Sequence, residues 1–257
     1  MTLFDIVDVP VQAWLGIGAV MGLVFGSFVT ALSYRMPRGE SVANGRSKCP
    51  SCATLLGVKD LVPVLSWAAH GGKCGYCKTP ISIRYPAIEL LMPLVFVSAV
   101  WREQHITNLL VLLAAAVLMV VLCVIDLEFK RMPLPLLGAL FGLGMAWRWL
   151  GDGDLVQGAM VAAGVSALGL GLAAISRAQW GNPLVGTGDV YALAIGAMAL
   201  PWLDFLGFAA LAGGLGLCFG LFWHATTGQR VFPFAPAVFA ALWLSLLFQG
   251  TLPNFVG

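Results

Sequence analysis

The chain has 257 residues, of which 60% are hydrophobic and only 10% charged, with a formal net charge of +2 and a mean hydropathy of +0.91. That composition cannot build a polar, water-facing exterior, so a soluble domain is excluded and a polytopic membrane protein is implied. The small net charge hides an asymmetry: eight of the fourteen Lys and Arg fall in residues 35–84, against Glu40 and Asp60 on the acidic side.

Residues 1–12 carry Asp5 and Asp8 in place of a basic n-region, so no cleavable signal is expected and the first apolar run stays as an anchor. Runs long enough to approach a bilayer's roughly 30 Å hydrocarbon core lie at 11–34, 86–101, 106–125, 134–150, 155–175, 190–203, 205–224 and 234–249. The sixth is short, and only Pro201-Trp202-Leu203-Asp204 divides it from the seventh. Counts of seven and nine spans therefore also fit. The expected fold is an all-α polytopic bundle of about eight transmembrane helices. It has three parts: a first segment and helix at 1–34, a cytoplasmic zinc-binding loop between helices 1 and 2 at 35–85, and a membrane bundle at 86–257. Small residues along 162–174 and 209–220 suit close helix packing.

Lys and Arg accumulate in short cytoplasmic loops. Placing 35–84 inside puts Lys130, Arg131, Arg177 and Arg230 inside too, and leaves Arg102 and Arg148 near the far side with Asp5, Asp8, Asp152, Asp154 and Asp204. Eight spans and the charge rule agree, with both termini outside the cytoplasm.

The basic loop holds Cys49-Pro50-Ser51-Cys52 and Cys74-Gly75-Tyr76-Cys77, separated by twenty-one residues. Two such turns each offer a pair of thiolates to one ion, a tetrahedral zinc pattern, whereas a reducing compartment disfavours the alternative of two disulfides. Four thiolates close the coordination sphere, so the ion is expected to be structural. Gly45, Gly71, Gly72 and Gly75 supply turn freedom, and Lys48, Lys73 and Lys78 offset thiolate charge. Cys123 and Cys218 read as small core residues, His70 as a neighbour of the metal loop, and His105 and His224 as interfacial.

Asp126, in Val124-Ile125-Asp126-Leu127-Glu128, and Asp189, in Gly186-Thr187-Gly188-Asp189-Val190, stand where apolar runs meet polar turns. An acid at the edge of hydrocarbon is costly and marks a functional site. The charge bookkeeping brings both to the cytoplasmic face. A close carboxylate pair titrates as a unit, with one member to take a proton from water and the other to donate to a scissile carbonyl. Gly186 and Gly188 permit a tight turn and close approach of a substrate backbone. The plain structural alternative for Asp126 is an ion pair with Lys130 at i+4, while Glu128 at i+2 faces elsewhere.

Together these residues resemble a known family, the type IV prepilin peptidases. The resemblance runs through Gly26-Ser27-Phe28, Tyr34-Arg35-Met36-Pro37, both cysteine pairs with Gly72-Lys73-Cys74, Ile81-Ser82-Ile83-Arg84-Tyr85-Pro86 and Glu89. It continues in Ile125-Asp126, Leu134-Pro135-Leu136, Gly186-Thr187-Gly188-Asp189 and Pro233-Phe234-Ala235-Pro236. It implies an inner-membrane aspartic endopeptidase with Asp126 and Asp189 as the catalytic pair, supported by Gly186, Gly188 and Glu89. Such an enzyme removes the basic leader of prepilins and pseudopilins on the cytoplasmic side, and S-adenosylmethionine-dependent N-methylation of the new terminus follows. The implied partners are these substrates and the membrane, with no nucleic acid. Two positions depart from the pattern: Thr30 stands where the family usually has Asn, and Tyr191 where it commonly has Lys. The rival readings are a proton- or cation-coupled transporter using the same two acids, and a non-catalytic scaffold of a secretion system.

Overall fold

The computed structural model describes residues 10–41, 46–151, 153–182, 185–229 and 231–249, so Asp5, Asp8, Gly45, Asp152 and Arg230 lie outside the described residues. Among the described residues the regular structure is helical, with two isolated β-bridges and no strand. The helices are α1 (Val11–Arg35), α2 (Leu65–Ala69), α3 (Arg84–Arg102), α4 (Ile106–Phe129), α5 (Leu134–Leu150), α6 (Leu155–Trp180), α7 (Thr187–Ala199), α8 (Trp202–Thr227) and α9 (Ala235–Phe248). Apart from the short α2, each matches one of the eight apolar runs. Five of them, α1, α3, α4, α6 and α8, are long and apolar enough to cross a membrane, whereas α5 and α9 fall in a shorter class and α7 has only 13 residues. The doubtful boundary resolves at Pro201, which stands at the N-cap of α8 after α7 has ended.

The chain divides into two compact units, residues 1–109 and 110–257. In the first, α1 packs on α3. Gly22 and Gly26 line the seam: a Cβ at Gly22 would stand 2.5 Å from Pro93 Cα, and one at Gly26 would stand 2.8 Å from Glu89 Cα. With Gly18 they form a small-residue stripe at i, i+4 and i+8 that lets the two backbones approach as membrane helices do. Arg84, at the start of α3, donates from Nη2 to Ser33 Oγ near the end of α1 at 2.7 Å.

In the second unit α7 is the hub, packed against α5, α6, α8 and α9. Eight of its 13 residues are buried, as expected of a helix apolar on every side. Its C-terminal carbonyls are closed by Arg148 of α5, a buried residue. The guanidinium donates to Leu200 O at 2.6 Å, Asp154 O at 2.6 Å and Gln157 Oε1 at 2.8 Å. Its charge is thus met by the negative end of a helix dipole and by carbonyl oxygens.

Candidate active site and metal centre

Asp126 sits three residues before the end of α4, inside the helix and not at its terminus, and is 5% exposed. Its Oδ2 accepts a hydrogen bond from the Ala235 amide at 3.0 Å. Local sequence explains the contact. A helix leaves its first N–H groups without internal acceptors; Pro236 has no N–H, and the Phe234 N-cap supplies no side-chain acceptor. The amide of Ala235, first residue of α9, therefore takes its acceptor from another helix. Phe234 is seated by Gly216 of α8, where any Cβ would overlap its ring.

No ion-pair contact joins Lys130 to Asp126, although the Lys130 charge acts on that carboxylate. Lys130 leaves α4 at φ +52° and donates from Nζ to Gln229 Oε1 at 2.8 Å and Val231 O at 3.0 Å. Glu128 is exposed.

Asp189 is the third residue of α7, half-buried at the N-terminus of the hub helix. The Asp126 charge acts on its carboxylate, so α4 and α7 bring the two acids within electrostatic reach. Neither neighbouring glycine has a positive φ; what both positions require is space. A Cβ at Gly186 would lie 2.7 Å from Asp189 Oδ2, and one at Gly188 would lie 3.1 Å from Met132 Cε. Gly186 makes room for the acid itself, and Gly188 lets the turn close onto the segment that follows α4.

Glu89 belongs to the first unit, where its Oε2 accepts from the Val64 amide at 2.7 Å. Thr30 is buried and donates to Ser27 O within α1 at 2.7 Å.

The four loop cysteines are free thiols, and their sulfurs all lie within 4.8 Å of one another. Cys49 Sγ and Cys77 Sγ are 3.9 Å apart. Tetrahedral ligands about 2.3 Å from zinc are separated by roughly 3.8 Å, so the donor set fits such an ion. The two turns are near-copies of each other. Cys49 N–H donates to Thr54 O at 3.0 Å and Cys74 N–H to Thr79 O at 2.9 Å, while Ala53 and Lys78 both take positive φ. Each second cysteine has a threonine hydroxyl beside its sulfur, Thr54 at 3.2 Å and Thr79 at 3.3 Å. The Thr79 hydroxyl, then its amide, lower the Cys77 thiol to about 6, and Thr54 lowers Cys52 in the same way. The repeat Lys-Cys-x-x-Cys-x-Thr, at 48–54 and 73–79, carried this signal in the sequence. His70 touches the loop as expected: its ring would stand 3.3 Å from a Cβ at Gly75, and Nε2 lies 3.6 Å from Asp60 Oδ1.

Residues 20–103 match the family described as the Bacterial Peptidase A24 N-terminal domain. A prepilin leader peptidase/N-methyltransferase of Myxococcus xanthus is 32% identical over 82% of this chain, though the match spans only 63% of that protein's length. Proteins of the same name from Dickeya chrysanthemi and Aeromonas hydrophila are 31% and 33% identical, over 91% and 82% of this chain and 93% and 74% of their own. No solved structure matches. Identity of this level over nearly the full length of a relative means that the chain belongs to the prepilin leader peptidase/N-methyltransferase family.

Proposed function

We propose that the protein is a multi-pass enzyme of the bacterial inner membrane that cleaves the leader of type IV prepilins and pseudopilins at the cytoplasmic face by aspartic chemistry. The observation that supports this reading is that the Asp126 charge reaches Asp189, two acids contributed by different helices, with the Ala235 amide holding one of them. The pair shares a proton and titrates as a unit. The ionised member removes a proton from water as its oxygen attacks the scissile carbonyl carbon; the protonated member donates to the carbonyl oxygen. As the C–N bond breaks, the proton taken from water passes to the leaving amine. Gly186 and Gly188 hold Asp189 in place for this step.

Cys49, Cys52, Cys74 and Cys77 would hold Zn2+, whose contribution is to fix the loop. The loop's family relationship also supports methylation of the new N-terminus, with S-adenosylmethionine as donor. Asp126→Asn and Asp189→Asn each abolish cleavage of a prepilin in isolated membranes while the protein stays folded and inserted. Retained cleavage in either variant removes that residue from the mechanism. Adding a labelled methyl donor to the same assay reads the second activity by label transfer.

A further inference from the structure

Between the two cysteine turns runs a segment whose apolar side chains face outward. Val58 is 85% exposed and Leu65 67%, with Leu61 and Val62 about 40% exposed. Such a patch on a polar loop marks an interaction surface, and its position identifies the partner. Val64 holds φ +62°, a conformation a β-branched residue rarely adopts. In that conformation its N–H meets Glu89 Oε2 at 2.7 Å, which ties the segment to α3.

Helix α3 has 19 residues, which at 1.5 Å per residue is about 28 Å, just the thickness of the hydrocarbon core. With no residues to spare, Arg84 and Arg102 mark the two boundaries, and Glu89 lies five residues, about 7 Å, inside. Its side chain leans toward the N-terminus of the helix, so with α3 across the bilayer the bond to Val64 holds 58–65 at the rim, level with the start of α3. Part of the backbone is met locally, which suits that setting: Asp60 N–H donates to Gly57 O, and Val62 O and Val64 O accept from the Ser66 and Ala68 amides. Lys59 lies within the segment, and Arg35 and Arg84 mark the adjoining ends of α1 and α3.

We infer that residues 58–65 form an interfacial anchor, with Val58, Leu61, Val62 and Leu65 inserted among the acyl chains of an anionic phospholipid leaflet and Lys59 at its headgroups. The metal-binding loop is thereby held against the bilayer between its two cysteine pairs. The inference rests on α3 crossing the membrane, as proposed above.

The test places a fluorescent non-canonical residue singly at position 58, 65 or 94 of the full chain. Each protein is reconstituted in phosphatidylglycerol-containing vesicles whose acyl chains carry bromine, a contact quencher. Position 94, on the exposed side of α3, reports whether that helix spans. At 58 and 65 we expect bromolipid quenching within about twofold of that at 94, since an interfacial segment sits about 5–10 Å into the headgroup and acyl boundary, and little quenching by aqueous iodide. Strong quenching at 94 with iodide quenching at 58 and 65 overturns the anchor and leaves the span intact. Absence of bromolipid quenching at 94 removes the span and the anchor with it. If emission at 58 and 65 ignores bromolipid and responds to an added apolar helical peptide, the surface belongs to a peptide partner and the anchor is wrong.

Discussion

Asp189 is positioned by what its neighbour lacks. A methyl group at Gly186 would lie 2.7 Å from Asp189 Oδ2, whereas at Gly188 it meets only the flexible end and Cβ of Met132. Gly186→Ala should therefore lower kcat for prepilin cleavage about 100-fold, the loss that roughly 1 Å of misplacement causes, and Gly188→Ala should cost markedly less. Equal losses would contradict this placement. In the loop, Thr79→Val removes the hydroxyl that, with the Thr79 amide, lowers Cys77 to about 6. A depressed thiol contributes stability in full above its ordinary value, and that contribution is lost as pH falls through the folded value. In metal-free protein the alkylation rate of Cys77 should thus rise with pH around 6 in the parent and at higher pH in Thr79→Val. Both aspartates stand out in the sequence because carboxylates are scarce in so apolar a chain. The acceptor role of Asp126 toward Ala235 does not, since a backbone amide leaves no side-chain signature, although Pro236 hints at it by removing the competing donor.

Helix α7 depends on a partner at its far end. Arg148 satisfies carbonyls at the close of α7 and at Asp154 together with the Gln157 side chain, all from a buried position. Arg148→Leu strands those acceptors and should destabilise the protein by about 3 kcal/mol or more, given about 1–3 kcal/mol for each buried group left unmet. Thermal unfolding in detergent reads the loss. Arg148→Lys, with one compact ammonium, should recover only part of it. In the sequence this residue reads as a leftover charge near the far membrane face, because a buried arginine paired with carbonyls has no acidic partner to betray it. The α1 seam is readable in principle, since Gly18, Gly22 and Gly26 share one helix face, but the runs at 162–174 and 209–220 are richer in Gly and Ala and carry the stronger packing signal. Gly22→Val would press against Pro93 backbone, which cannot yield as a side-chain tip can. An overpacking cost of about 1–3 kcal/mol follows, measurable in the same unfolding experiment.

Across the whole molecule, hydropathy located all eight apolar helices but could not say which of them cross the bilayer. At 13 residues, α7 reaches only about 20 Å, short of a roughly 30 Å core. A lipid-facing helix of that length would leave polar backbone in hydrocarbon. Yet α7 is surrounded by α5, α6, α8 and α9, and non-helical backbone at membrane depth is tolerated where protein buries it. Eight crossings therefore remain compatible with a short hub, and the charges argue for them: Lys130, Arg131 and Arg177 flank the connections after α4 and α6, and Asp154 and Asp204 those after α5 and α7. Reporter fusions or accessibility labels at 131, 182 and 229 should all report the cytoplasmic side, and those at 104, 153 and 201 the opposite side. If α7 enters and leaves by one face, positions 182 and 201 will report the same compartment, and the order of every connection after α6 must be redrawn.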